Sequence, residues 1–300
     1  MEALSSFKDI IRQAVAKSRA VARVTEENVF QEGNAEIRPL LDQIVEALLL
    51  PGSGIDGMEN LHELRKLNRE GHSCLLLLEH YSNLDLSIFD YLVRQEAGGT
   101  DLADSLVAIA GMKLTEDNPA VAAFASAYTR IVIYPSRSLA DLDLEKDKDE
   151  LLRSASINRA ATRALIRAKE SGRVVLVFPS GTRYRPWDPS SKRGVREIDS
   201  YIRIFDYICP VAINGEVLHV RQGDMLEDSV SKDVVRLTAG PVISASAFRN
   251  GIREKAEAAG IEDKKQAVVD AVMNMLEEMH LAGEAERRKL LSKIQPGEQG

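Results

Sequence analysis

Apolar positions fall into two textures along this chain, and the change comes near residue 70. Before it, Phe7, Ile10, Ile11, Val15 and Ala16 recur at three- and four-residue spacing, as do Ile37, Leu40, Leu41, Ile44, Val45 and Leu48. That spacing puts apolar side chains on one face of a helix. Residues 32–34 break the pattern, Pro51-Gly52-Ser53-Gly54 ends it again, and a shorter helix is expected over residues 57–68. Residues 1–70 are therefore expected to be helical throughout, as a small N-terminal helical bundle beside a larger domain over residues 71–300.

From Ser73 onward come short apolar runs, at 74–78, 106–110, 130–134, 174–178 and 208–213, the third of them opening on Arg130. Runs of this length bounded by turn residues are strands, and full apolarity marks strands covered on both faces. Helical patterns lie between several of them, at 85–95, 119–127 and 149–171. The expected fold class is α/β, with a largely parallel (mixed) central sheet flanked by helices. A last strand is expected at 234–239, then two helices at 263–281 and 283–293 separated near Gly283. The charge run 141–150 reads as an exposed linker.

Composition narrows the function more than the fold. The chain has 300 residues, 44% hydrophobic and 28% charged, which is ordinary for a folded domain of this size. Aromatics are only 5% and the net charge is −7, so neither a base-stacking platform nor a globally basic nucleic-acid coat is expected. The charge is unevenly spread. Residues 151–203 hold twelve Lys or Arg against four Asp or Glu, a local balance of +8 suited to anionic partners. Cys74 and Cys209 adjoin apolar runs and read as buried, reduced thiols, with no zinc spacing and no disulfide framework. The longest apolar run, 120–125, is far too short to span a bilayer. No metal or cofactor is expected, and a cytoplasmic protein is, with peripheral membrane contact allowed.

Two constellations carry chemistry. In the first, the strand ending at Leu78 runs into Glu79-His80-Tyr81-Ser82-Asn83-Leu84-Asp85. Functional groups of open α/β sheets gather at the carboxyl ends of strands. A tight turn there can fold the Asp85 carboxylate onto the His80 imidazole, fixing its tautomer and stabilising its protonated form. The competing reading is that Asp85 merely complements a helix dipole. In the second, the strand ending at Phe178 runs into Pro179-Ser180-Gly181-Thr182-Arg183-Tyr184-Arg185. Arg183 and Arg185 alternate on an extended loop, and Arg137 follows another strand end. Arginine's planar fork matches two phosphate oxygens, so the three could form a socket for a phosphate dianion. Pairing with surface carboxylates is the alternative. Neither a P-loop nor a nucleophile elbow is present.

His80-x4-Asp85, Gly111-Met112-Lys113, Phe178-Pro179-Ser180-Gly181-Thr182-Arg183 and Cys209-Pro210-Val211-Ala212-Ile213 together resemble the four ordered blocks of the glycerolipid acyltransferases. Ser180, the extension Arg183-Tyr184-Arg185-Pro186-Trp187-Asp188-Pro189 and the helical N-terminus are similar to the soluble, plastid-type glycerol-3-phosphate 1-acyltransferases. Met112 and Ser138 depart from that pattern. The resemblance implies acyl transfer from an acyl carrier protein or coenzyme A thioester to the sn-1 hydroxyl of glycerol 3-phosphate. His80 and Asp85 would be catalytic; Arg137, Arg183, Arg185, Lys113, Ser180, Gly181 and Thr182 would bind substrate, with backbone amides near His80 or Gly181 as oxyanion donors. A 1-acylglycerol-3-phosphate acyltransferase and a non-catalytic acyl-carrier or lipid-surface protein remain as alternatives.

Overall fold

Strands without a polar side can only sit in the middle of a molecule, and five of them form the centre of the sheet here. The computed structural model describes residues 2–294 except 19, 20, 22, 117, 140–142, 144, 145 and 224–227. The sheet strands are β1 (Phe30–Gln31), β2 (Gly54–Asp56), β3 (Cys74–Leu78), β4 (Leu106–Gly111), β5 (Arg130–Ile133), β6 (Val174–Val177), β7 (Tyr207–Asn214), β8 (Arg236–Ala239) and β9 (Ile243–Ser244). Their order is β1-β5-β4-β6-β3-β7-β8-β2, with β9 pairing on β7. The central β5-β4-β6-β3-β7 is parallel throughout, with Leu76 beside both Leu176 and Cys209. β1, β8 and β9 add antiparallel edges, so the sheet is mixed.

The helices are α1 (Lys8–Lys17), α2 (Arg38–Leu48), α3 (Met58–Arg69), α4 (Asp85–Gln95), α5 (Gly99–Ser105), α6 (Pro119–Ala125), α7 (Lys148–Glu170), α8 (Ile198–Ile204), α9 (Ala245–Ala258) and α10 (Lys264–Ile294), with shorter turns between. Alternate β3 residues, Leu76 and Leu78, pack with Leu41, Phe89 and Phe124 of α2, α4 and α6 on one face. Leu75 and Leu77 pack with Ile157, Ile198 and Val272 of α7, α8 and α10 on the other. The period-two alternation of a strand thus divides one apolar run between two cores.

This winding creates the crevice that matters. The connection from β3 to β5 runs over the first face, and the connection from β5 back to β7 runs over the second. β3 and β6 are neighbours whose outgoing chains leave to opposite faces, so a cleft opens at their carboxyl ends.

Two expectations change, and a third falls partly outside the described residues. Residues 1–70 are not helical throughout: β1 pairs with β5 and β2 with β8, so this segment supplies strands at both ends of the sheet. The two helices expected after residue 263 are one, α10, and Gly283 lies inside it. A Cβ at Gly283 would collide with the Asn214 side chain of β7, so the glycine serves close approach to the sheet instead of a stop. In the expected linker 141–150, residues 141, 142, 144 and 145 lie outside the described residues, and 148–150 form the first turn of α7.

Candidate active site

The turn after β3 is organised by one carboxylate. Asp85, the first residue of α4, is 2% exposed, and four donors surround it. Its Oδ2 accepts from the Tyr81 amide at 2.5 Å and the Ser82 amide at 2.8 Å, and lies 2.9 Å from Nδ1 of His80. Its Oδ1 accepts from the Ser82 hydroxyl at 2.7 Å. A buried carboxylate with four donors around it has its hydrogen-bonding capacity met and is held in one position. It makes Nδ1 of His80 the protonated nitrogen and leaves Nε2 to act on a substrate. The same contacts occupy the Tyr81 and Ser82 amides, and the Gly181 amide donates to Phe178 O at 2.9 Å, which takes these three out of the expected oxyanion donors.

The loop after β6 packs directly on this turn. Phe178 stacks on the His80 ring with centroids 4.0 Å apart and planes 20° from parallel, and the Tyr184 amide donates to His80 O at 2.8 Å. Gly181 turns the chain at φ +66°, where a Cβ would come within 2.9 Å of Val195 Cγ1. Ser180 is buried and donates its hydroxyl to Thr182 O at 2.7 Å, so it is paired with a carbonyl and no base. Cys74 and Cys209 are both buried, and burial pushes their thiols up to about 12, which keeps them protonated and inert at neutral pH.

His80 also lines a cavity of about 630 Å³. Its origin lies in the sheet: β4 and β6 pair as far as Ala108 and Leu176 and no further. Beyond that rung Ile109, Ala110 and Gly111 line one side of the cavity, and Val177 and Phe178 the other. Leu86 and Phe124 reach it from the first face, Leu165 and Ile198 from the second. The cavity therefore passes between splayed strand ends, and its walls are mainly apolar. The volume falls within the roughly 300–1,000 Å³ of small-molecule sites.

The arginines expected to share one socket have different partners. Arg137 lines the cavity, is exposed, and donates to Arg193 O at 3.0 Å. Arg183 is held by the buried carboxylate of Asp228 at 2.9 Å, 45 residues further on. Arg185 is exposed and outside the cavity wall, its amide donating to Ser191 Oγ at 2.8 Å. Lys113 is exposed at the start of a one-turn helix after β4, and its neighbour Leu114 lines the cavity instead.

The structure adds residues that spacing did not single out. Arg130 is 2% exposed in the cavity wall, donates to Ala125 O at 2.6 Å and, among the described residues, has no acidic partner; burial pushes its guanidinium down to about 10. Tyr128 lines the same cavity with its hydroxyl buried. Glu79, Tyr81 and His280 form a second hydrogen-bonded group behind His80. A charged residue directly after a fully apolar strand is the one sequence signal for Glu79. Nothing local marks His280 as its partner, 201 residues away.

Among the described residues no helix is long and apolar enough to cross a membrane, and no cluster of His, Cys, Asp or Glu could hold a metal ion. No curated protein matches the chain. A model of the family described as Acyltransferase matches residues 55–222, which takes in β2 to β7 and with them His80, Asp85 and the loop after β6. The match spans more than half of the chain: the protein belongs to the acyltransferase family and is an enzyme of acyl transfer.

Proposed function

We propose that this enzyme moves a fatty acyl group from a thioester to the sn-1 hydroxyl of glycerol 3-phosphate. The observation that carries the reading is the cavity of about 630 Å³ shared by His80 and Arg137. Its mainly apolar walls suit an acyl chain, and an exposed cation on the same wall suits a phosphate. The substrate hydroxyl gives its proton to Nε2 of His80 as its oxygen attacks the thioester carbonyl. The C–S bond then breaks and the thiolate leaves with the proton from the imidazolium. Asp85 stabilises that imidazolium from the other nitrogen, at 2.9 Å. A thiolate leaves readily, and the described cysteines and Ser180 offer no activated nucleophile, which favours direct transfer over an acyl-enzyme.

The donor is an acyl carrier protein or coenzyme A thioester. Both are anionic, and the exposed Arg159, Arg163 and Arg167, four residues apart along α7, present positive charge on the second face. The test is a matrix of acyl donors against acceptors on the purified protein, with products resolved as 1-acylglycerol 3-phosphate or phosphatidate. Transfer to glycerol 3-phosphate is expected. Transfer to 1-acylglycerol 3-phosphate alone would move the reading to that acceptor, and binding of donor without turnover would make the protein a carrier.

A further inference from the structure

The last helix of the chain lies beyond the residues that match the family, yet it is bonded to the catalytic turn. Glu79, immediately before His80, is 6% exposed. Its Oε2 accepts from the Ile213 amide at 2.7 Å and lies 3.2 Å from Nδ1 of His280. Its Oε1 accepts from the Tyr81 hydroxyl at 3.1 Å. That hydroxyl oxygen is itself 3.1 Å from Nδ1 of His280. With the Tyr81 proton committed to Glu79, only an N–H on Nδ1 of His280 satisfies both short distances. Among the described residues, His280 is the one ion-pair partner of the buried Glu79 carboxylate.

Tyr81 joins this group to the base. Its amide holds Asp85 while its hydroxyl is held by Glu79 and His280, and its ring meets the Tyr184 ring edge-on at 6.1 Å. Tyr184 in turn donates its amide to His80 O. The helix itself is pinned at this point: Asn214 donates to His280 O at 2.8 Å, and Gly283 allows the approach.

We propose that His280 is a positioning residue for the His80–Asp85 pair, acting through Glu79 and Tyr81. The inference rests on the reading of His80 as the general base. Without His280, Glu79 is a buried carboxylate with no cation, and the group that orients Tyr81 loses its shape. The titratable and charged groups facing His280 are Glu79 directly after β3, the Tyr81 hydroxyl from the turn, Glu277 from its own helix and Lys192 from the loop before α8, with Lys192 paired to Glu277. Burial opposes the charge on His280, and the hydrogen bond and attraction from Glu79 outweigh it, holding its pKa above the ordinary histidine value. The clamp is accordingly complete below the ordinary histidine value and weakens as pH rises through the raised one.

Two kinds of measurement test this on the full-length enzyme. His280→Ala and Tyr81→Phe should each lower kcat by up to about 10²-fold with little change in KM, since a small misplacement of a base has that cost. The double variant should lose no more than the larger single loss, because both act through one group. The wild type should show a fall in kcat with rising pH that Tyr81→Phe removes, and Arg288→Ala, on the exposed side of the same helix, should behave as wild type. Independently of turnover, the NMR signal of the His80 Nδ1 proton should shift or broaden in both variants. Folded variants with unchanged kcat and an unchanged His80 signal overturn the proposal. A wild type that transfers no acyl group overturns the reading of function instead, and the NMR comparison then decides the positioning claim by itself. Should His280→Ala unfold, Tyr81→Phe carries both measurements.

Discussion

The turn after β3 and the loop after β6 meet in one crevice, but different ranges of interaction shape them. Among the described residues, the bonds to the Asp85 carboxylate all come from within five residues: His80, Tyr81 and Ser82. In the loop after β6 the corresponding groups are held from afar, Arg183 by Asp228 at a separation of 45 residues, and Arg137 reaches the same region through Arg193, 56 residues from it. A constellation closed within one turn is encoded by spacing. A cation on a loop is claimed by whichever acceptor the fold brings near, and the sequence does not name that acceptor.

The comparison can be broken at its local end first. His80→Ala should lower kcat by about 10²–10⁴-fold, the usual worth of a general base, while glycerol 3-phosphate binding by calorimetry persists. Retained turnover would end the assignment of His80. At the long-range end, Arg183→Ala should cost roughly 3–5 kcal/mol in urea unfolding, because it strands the buried Asp228 carboxylate. Arg183→Ala combined with Asp228→Asn should recover much of that loss. If Arg183→Ala instead leaves stability intact and raises only the KM for glycerol 3-phosphate, Arg183 belongs to the substrate after all.

Smaller effects separate the remaining arginines. Arg137→Ala should raise the KM for glycerol 3-phosphate about tenfold or more, the loss of a charged hydrogen bond at roughly 1.5–3 kcal/mol. Arg185→Ala should change it less than about threefold; equal effects would restore the shared socket. The smallest effect is in stability against pH. His280 has a raised folded-state pKa, so its contribution is complete below the ordinary histidine value and is lost as pH rises through the raised one. Unfolding curves of wild type and His280→Ala should therefore converge toward alkaline pH, and a constant offset across pH would contradict this.

The nearly continuous apolar runs made the five central strands legible, with ends off by no more than one residue, because a doubly covered parallel sheet accepts such runs. β1 and β2 were illegible for the opposite reason. They are two and three residues long and only partly buried, too short to show an alternation. Gly283 misled because a glycine inside a helix usually marks its end, whereas here it makes room for Asn214. His280 could not be seen at all, since one histidine on a helix looks like any other until its neighbours are known.

What the sequence alone determined is the α/β class, the ends of the central strands, and the His80–Asp85 turn. These depend on burial periodicity and on contacts within a few residues, both of which are local properties of the chain. The tertiary structure decided the cavity, the separate fates of Arg137, Arg183 and Arg185, and the group that joins Glu79 to His280. Each of those depends on which distant side chains share a desolvated space, where an unpaired charge or donor is costly. Only the folded chain, through its strand order and the splay of β4 from β6, establishes which groups meet there.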